Sequence, residues 1–296
     1  MNQFLSFLIN GVSLGAIYGL VAIGIVLIYK ASHVVTFSHG ALVLLGAFVT
    51  ARVSQETSFG LAVVAAITVT ALVALLAERL VIRGMRGSPV INLSIATIGI
   101  DLLLVTYLTG SIGSTVLNIK HPWGASNLSL WGVGVGWNRV LALVVALALI
   151  GALLALFKFS TWGVAMRAAA QDGEIASLMG ISLSKVSALT WMVAGALACV
   201  AGIFLAGAPT PGVTVSLAAI AFRAFPAAIL GGLDSVGGAL VGGLVIGILE
   251  ALVAGYQDQL AFLGHGASQV VPYVVMLAVL LIRPSGLFGS KELTRV

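Results

Sequence analysis

Apolar runs of about 20 residues follow one another along almost the whole chain, and one polar stretch, Lys158–Lys185, interrupts them. A run of that length is what an α-helix needs to cross the hydrocarbon of a bilayer. In lipid, each backbone polar group has to be satisfied within its own segment, so successive runs fold as helices. A membrane barrel would instead show short segments of alternating polarity. Of the 296 residues, 60% are hydrophobic and 8% are charged, where a soluble domain carries about 25% charged. The expected fold class is an all-α polytopic membrane protein. Residues 1–296 read as a single transmembrane domain without a linker.

Spans are expected at 4–29, 37–51, 58–78, 90–110, 138–157, 187–207, 213–233, 236–256 and 269–283. That is eight or nine transmembrane helices, some broken or re-entrant. The weakest is 37–51, which reads as a partial helix. With the N-terminus outside, the inner loops hold Lys30, Arg79, Arg83, Arg86, Lys158, Arg167, Lys185, Arg283, Lys291 and Arg295, and the outer loops hold Arg52, Lys120 and Arg139. Cytoplasmic loops carry the excess of Lys and Arg, so this distribution predicts N-out, C-in. The formal charge of +5 is therefore a topology signal and does not point to nucleic acid.

The N-terminus lacks a basic leader, and its apolar stretch is too long for a cleavable signal. The single Cys199 lies inside a span and offers neither a disulfide framework nor a metal site. The sequence has no Walker A pattern, no H-E-x-x-H and no G-x-S-x-G, so any nucleotide chemistry belongs to another chain. The longest outer loop, about Ser111–Trp137, carries Trp123, Trp131 and Trp137. Tryptophans of this kind anchor at the water–lipid boundary, and contact with an external solute-binding protein is the alternative. The three arginines of Arg79–Pro89 read first as topology and second as a contact for a cytoplasmic partner.

The polar stretch is helical in pattern. Val164, Ala168, Ile175, Leu178 and Met179 alternate with Arg167, Gln171, Asp172 and Glu174. Gly173 is expected to divide it into two short helices, because glycine is a poor helix-interior residue. Gly180 suits a C-terminal cap. Such a helix can lay its apolar face in a groove of a soluble partner. The alternative is an amphipathic loop on the lipid surface, which the mixed rather than basic charge disfavours.

Ionisable residues inside spans are costly and mark candidate sites. Asp101 lies deep in its span, Glu250 nearer the outer end of the eighth, and Arg223 three residues before Pro226, which is expected to break the helix. An interior pair of Arg223 with Asp101, Asp234 or Glu250 would satisfy them structurally, and Glu250 could equally reach the interface. Ser38 and His39 stand where the chain re-enters the membrane, with His39 as either a path residue or a structural hydrogen-bonder. Asn92, Ser94 and Thr97 place polar groups along the fourth span, for packing or for a solute path. The run from Gly231-Gly232 through Gly237-Gly238 to Gly243 permits close helix packing, a pair of half-helices, or both. Ser38–Val43 faintly echoes Val236–Val241.

Three blocks resemble one known family. Gly163-Val164-Ala165-Met166-Arg167-Ala168, followed by an acidic stretch and Met179-Gly180-Ile181, looks like the coupling loop of ABC importer permeases. The opening Asn10–Phe48 and the later Pro209–Leu252 resemble branched-chain amino-acid permeases of the H-type. The resemblance implies a bacterial inner-membrane permease subunit, itself not an enzyme. It implies pairing with a second, M-type permease, two cytoplasmic ATPases that hold ATP and Mg, and an external solute-binding protein. No cofactor is implied for this chain. Arg167, Asp172, Glu174 and Gly180, within the loop 158–186, become the coupling candidates. Ser38, His39, Asn92, Thr97, Asp101, Arg223 and Glu250 become path candidates. The family gives no matching acid at Asp101. Close relatives serve urea or short amides, which leaves the solute open. An ion-coupled carrier built on Asp101, Glu250 and His39 is the competing reading. A membrane enzyme would need a cluster of catalytic residues, and the sequence contains none.

Overall fold

The structure is a computed structural model that describes residues 2–124, 126–130, 133–207, 212–260, 264 and 266–289. Trp131, His265, Lys291 and Arg295 lie outside the described residues. A helix occupies each of the nine expected spans. The helices at those positions are α1 (Asn2–Ser32), α2 (His39–Val53), α3 (Phe59–Ala77), α4 (Val90–Ile112), α5 (Trp137–Phe159), α8 (Leu183–Leu205), the pair α9 (Ser216–Phe222) and α10 (Ala224–Gly231), α11 (Val236–Gly255) and α12 (Ala267–Ile282). Helices α6 (Thr161–Gln171) and α7 (Gly173–Leu178) form the polar stretch. Six helices among the described residues are long and apolar enough to cross a membrane, while α2, the α9–α10 pair and α12 are shorter. The mostly helical, multi-pass reading stands on these.

One element departs from an all-α fold. The strands β1 (Asn127–Leu130) and β2 (Val133–Gly136) pair antiparallel in the loop before α5. Asn127-Leu128-Ser129-Leu130 and Val133-Gly134-Val135-Gly136 both alternate, but four residues is the shortest run in which that pattern signals a strand.

The residues fall into two compact units. The first holds residues 1–26, 125–146 and 223–296. Its scaffold is α1 against α11, and α10 and α12 against α11. Gly11, Gly15 and Gly19 recur every fourth residue on α1, so they line one face. A Cβ added to Gly15 would stand 2.7 Å from Leu244 Cα, and one on Gly243 would stand 2.5 Å from Gly19 N. Glycine is required there because the two backbones touch.

The second unit holds residues 27–124 and 147–222. Here α8 packs on both α2 and α3, and α4 and α9 pack on α2. A Cβ on Gly46 would lie 2.5 Å from Cys199 Cα, and one on Gly195 would lie 2.8 Å from Ala74 Cβ. Most of the side chains that α3, α4 and α5 leave exposed are apolar, among them Leu72, Leu102, Leu103 and Leu147. An apolar exposed face suits helices that contact lipid or another membrane subunit.

In the loop between α4 and α5, Trp123 stacks on His121 at 4.9 Å and meets Phe59 edge-on at 5.3 Å. Burial pushes the His121 imidazole below its ordinary value.

Candidate functional site

Arg223 sits at the break between α9 and α10, as the cap residue of α10. Pro226 does not cause the break. It occupies the first turn of α10, where a missing N–H costs no helical bond. The guanidinium reaches Glu250 of α11, Nη1 to Oε1, at 2.6 Å. Side-chain exposure is 17% for Arg223 and 6% for Glu250. Tyr18 of α1, fully buried, donates its hydroxyl to the other carboxylate oxygen at 2.9 Å. Among the three acids open to Arg223, the structure chooses Glu250. Glu250 is inside the bundle, with both oxygens engaged, and does not reach out to an interface. Two neighbours thus neutralise and hydrogen-bond the buried carboxylate.

The second polar cluster surrounds the start of α2. Thr97 and Asp101 are one turn apart on α4 and share a face. Phe37 N–H donates to Thr97 Oγ1 at 3.0 Å, and Ala41 N–H donates to Asp101 Oδ1 at 3.2 Å. A carboxylate there complements both the orphan N–H groups and the positive end of the helix dipole. Thr36 and Ser38 hydroxyls are 3.1 Å apart. His39 is buried, and neither ring nitrogen has a hydrogen-bond partner among the described residues. Phe222 of α9 closes over this start, with Phe37 stacked on it at 6.4 Å and Gly40 passing beneath its ring. Asn92 is not brought to the cluster. It stands exposed at the beginning of α4, because five residues turn a helix through well over a third of a circle.

The third cluster is the polar stretch. Ser160 caps α6 by accepting from Gly163 N–H at 3.0 Å. The division into two helices occurs at Asp172, one residue before Gly173. Asp172 is extended, and its Oδ1 accepts from the N–H groups of Glu174 and Ile175, each at 2.9 Å. Gly180 has φ +84 and closes α7, with Gly180 N–H on Ser177 O and Ile181 N–H on Ala176 O, both 3.0 Å. That is a Schellman ending, which glycine adopts without strain. Arg167 donates to the carbonyl of Phe157, and Glu174 is exposed. Met166, Ala169 and Ala176 are buried, while Val164, Ile175, Leu178 and Met179 are 54%, 59%, 83% and 79% exposed. A helix pair capped at both ends, with Val164, Ile175, Leu178 and Met179 facing outwards, is shaped to meet something else.

The four glycines expected at a broken helix have different duties. Gly231 and Gly238 cross backbone on backbone between α10 and α11. Gly232 takes φ +102 in the turn between them and approaches Gly289. Gly237 has open space around it. The sequence does not single out Tyr18, Thr36 or Glu78, and it marks Arg86 only as one of three loop arginines. Glu78, an acid at the end of an apolar run, was the one with a readable signal.

The sequence profile of the family described as "Branched-chain amino acid transport system / permease component" matches residues 7–281. The high-affinity branched-chain amino acid transport system permease protein LivH of Escherichia coli (strain K12) is 33% identical, over 100% of this chain and 99% of that protein. The corresponding protein BraD of Pseudomonas aeruginosa is 31% identical, over 99% of this chain and 98% of that one. Among solved structures, PsaBC from Streptococcus pneumoniae in complex with Fab aligns with 94% of this chain and 89% of its own, at 16% identity and a TM-score of 0.44.

Proposed function

The chain belongs to the family of branched-chain amino acid transport system permease components, and on that premise we propose that it is the transmembrane permease subunit of an ATP-driven importer for branched-chain or related amino acids. It forms half of a translocation pathway in the bacterial inner membrane, with its N-terminus outside and its C-terminus inside. A second, M-type permease forms the other half. Two cytoplasmic ATPases supply the energy and hold ATP and Mg, and an external binding protein delivers the solute.

The observation that carries this reading is the polar stretch. It is a doubly capped helix pair whose apolar side chains Ile175, Leu178 and Met179 are left bare. An apolar helical face in water gains from entering a groove. The distribution of basic residues among the loops supports an inner position for it, where an ATPase would meet it. An ion-coupled carrier has no use for such a face. Residues 158–186 therefore act as the coupling loop. Arg167 and Asp172 hold its shape, Gly180 ends it, and Glu174 meets the partner.

For the path, the start of α2 offers both signs of interaction that a zwitterion requires. The first-turn N–H groups other than that of Ala41 suit a carboxylate, and the Asp101 oxygen that does not accept from Ala41 suits an ammonium group. Ser38, His39 and Thr97 flank it. In an importer the affinity resides largely in the binding protein, so this site needs only weak, transient contacts.

The test is affinity purification of the chain from its native cells in mild detergent, with identification of stable partners. Recovery of a second permease and two P-loop ATPases is the expected result. The associated binding protein is then titrated with leucine, isoleucine, valine and urea to identify the solute class. A chain that purifies alone and moves solute in liposomes without ATP overturns the reading.

A further inference from the structure

At the end of α3, the backbone changes from α-helix to a π-helical turn, Glu78–Ile82. Turns of this kind are rare and concentrate at functional positions. Glu78 opens it and is completely buried. Its Oε1 lies 3.4 Å from Arg86 Nη2, and its Oε2 has no hydrogen-bond partner among the described residues. This pair is a poor stabiliser. The contact is long, one carboxylate oxygen is unpaired, and an apolar residue of similar volume would serve stability as well or better.

Arg86 does more than neutralise Glu78. Its Nη1 donates to Ser184 Oγ, and its Nη2 lies 3.5 Å from Leu183 O. Leu183 and Ser184 form the first turn of α8, three residues after the Gly180 ending of α7. One guanidinium therefore ties the end of α3 and the α3–α4 turn to the start of α8. Beside it is a cavity of about 240 Å³, lined by Ile82, Arg86, Ala169, Gly173, Leu183 and Ser187 among others. Ala169 and Gly173 belong to the polar stretch, so α6 and α7 face open space on this side. On the other side they are joined to α8 by the chain and by packing, with Met166 Sδ 3.9 Å from Thr190 Oγ1, and from α8 the Arg86 tie continues to α3.

We propose that Arg86 and Glu78 are positioning residues that carry a displacement of the polar stretch into α3 as well as α8. The inference rests on the coupling reading above. The polar stretch moves into or out of the cavity, α8 follows through the chain, and α3 follows through Arg86. With the tie cut, α3 and α8 still pack at Gly195 and Ala74, but the start of α8 is no longer fixed to the end of α3, and a displacement arriving there is passed on only in part. ATP is then hydrolysed without a matching movement of the path.

The experiment uses the assembled complex in proteoliposomes with its binding protein, and reads ATP hydrolysed per solute molecule imported. Glu78→Gln, which keeps shape, and Arg86→Met, which keeps length, are each expected to raise that ratio by about fivefold or more, the low end of coupling effects between sites. The KM for ATP and the affinity for the loaded binding protein are expected to stay unchanged. Arg86→Lys keeps the charge but loses the fork, so its ratio is expected to fall between those of wild type and Arg86→Met. A smaller rise in both main variants overturns the proposal. So does a loss of import that tracks the amount of folded complex at an unchanged ratio. A wild-type complex without ATPases or ATP-dependent import fails earlier, at the underlying reading, and is recognised before any variant is made.

Discussion

Arg223 settles on Glu250 because the alternatives are used or placed elsewhere. Asp101 is engaged at the start of α2, whereas Glu250 and Tyr18 meet Arg223 within one compact unit. Removing one partner of a buried pair leaves an uncompensated charge, which costs about 3–5 kcal/mol. Glu250→Ala is therefore expected to lower the stability of the purified complex by that order, read in a denaturant or thermal unfolding series. Removing both charges, as Arg223→Met with Glu250→Leu, is expected to recover most of the loss. Tyr18→Phe removes one charge-assisted hydrogen bond and should cost about 1.5–3 kcal/mol. The sequence pointed to Arg223 and Glu250 because a charge inside an apolar run is conspicuous. It could not point to Tyr18, since a tyrosine in such a run is common and its partner is 232 positions away.

The spans themselves were legible for a simple reason. Length and apolarity are local properties, and the bilayer reads them locally. The segment 37–51 looked weak, and α2 is short, 15 residues. What periodicity does not contain is which glycine touches what. On α11, Gly247 lies against the backbone of Gly15, while Gly237, ten residues earlier, has nothing near its missing side chain. Gly247→Leu is accordingly expected to push α1 from α11. Overpacking a tight contact costs about 1–3 kcal/mol and can exceed that when the obstacle is backbone. Gly237→Ala should be neutral or slightly stabilising, because alanine is the better helix residue. Yield of monodisperse protein and the midpoint of thermal unfolding distinguish the two. The same comparison explains why the glycine run read from the sequence as both packing and break. Gly231 and Gly238 do the first, and Gly232, at φ +102, does the second.

For the whole molecule, the question is what an importer subunit must expose. A membrane protein buries its apolar surface or faces it to lipid, yet the helix pair between α5 and α8 leaves Leu178 and Met179 bare beyond a well-formed cap. Nothing in the fold of the chain requires those two side chains, since surface substitutions that touch no packing shift stability by about 0.5 kcal/mol at most. Leu178→Asp with Met179→Asp is therefore expected to leave the unfolding midpoint of the purified chain nearly unchanged. The same variant is expected to lose its ATPases on purification in mild detergent while it keeps the second permease. Loss of both partners, or of folded chain, would make these residues part of the bundle and not of a docking face. Retention of the ATPases at wild-type amounts would place the docking surface outside residues 158–186. The sequence already marked this stretch as a handle from its polarity alone. The outward direction of its apolar face is a property of tertiary packing, set by Met166, Ala169 and Ala176 turning inward. That one rotation about the helix axis decides whether the stretch is a lid for its own bundle or a surface for another protein.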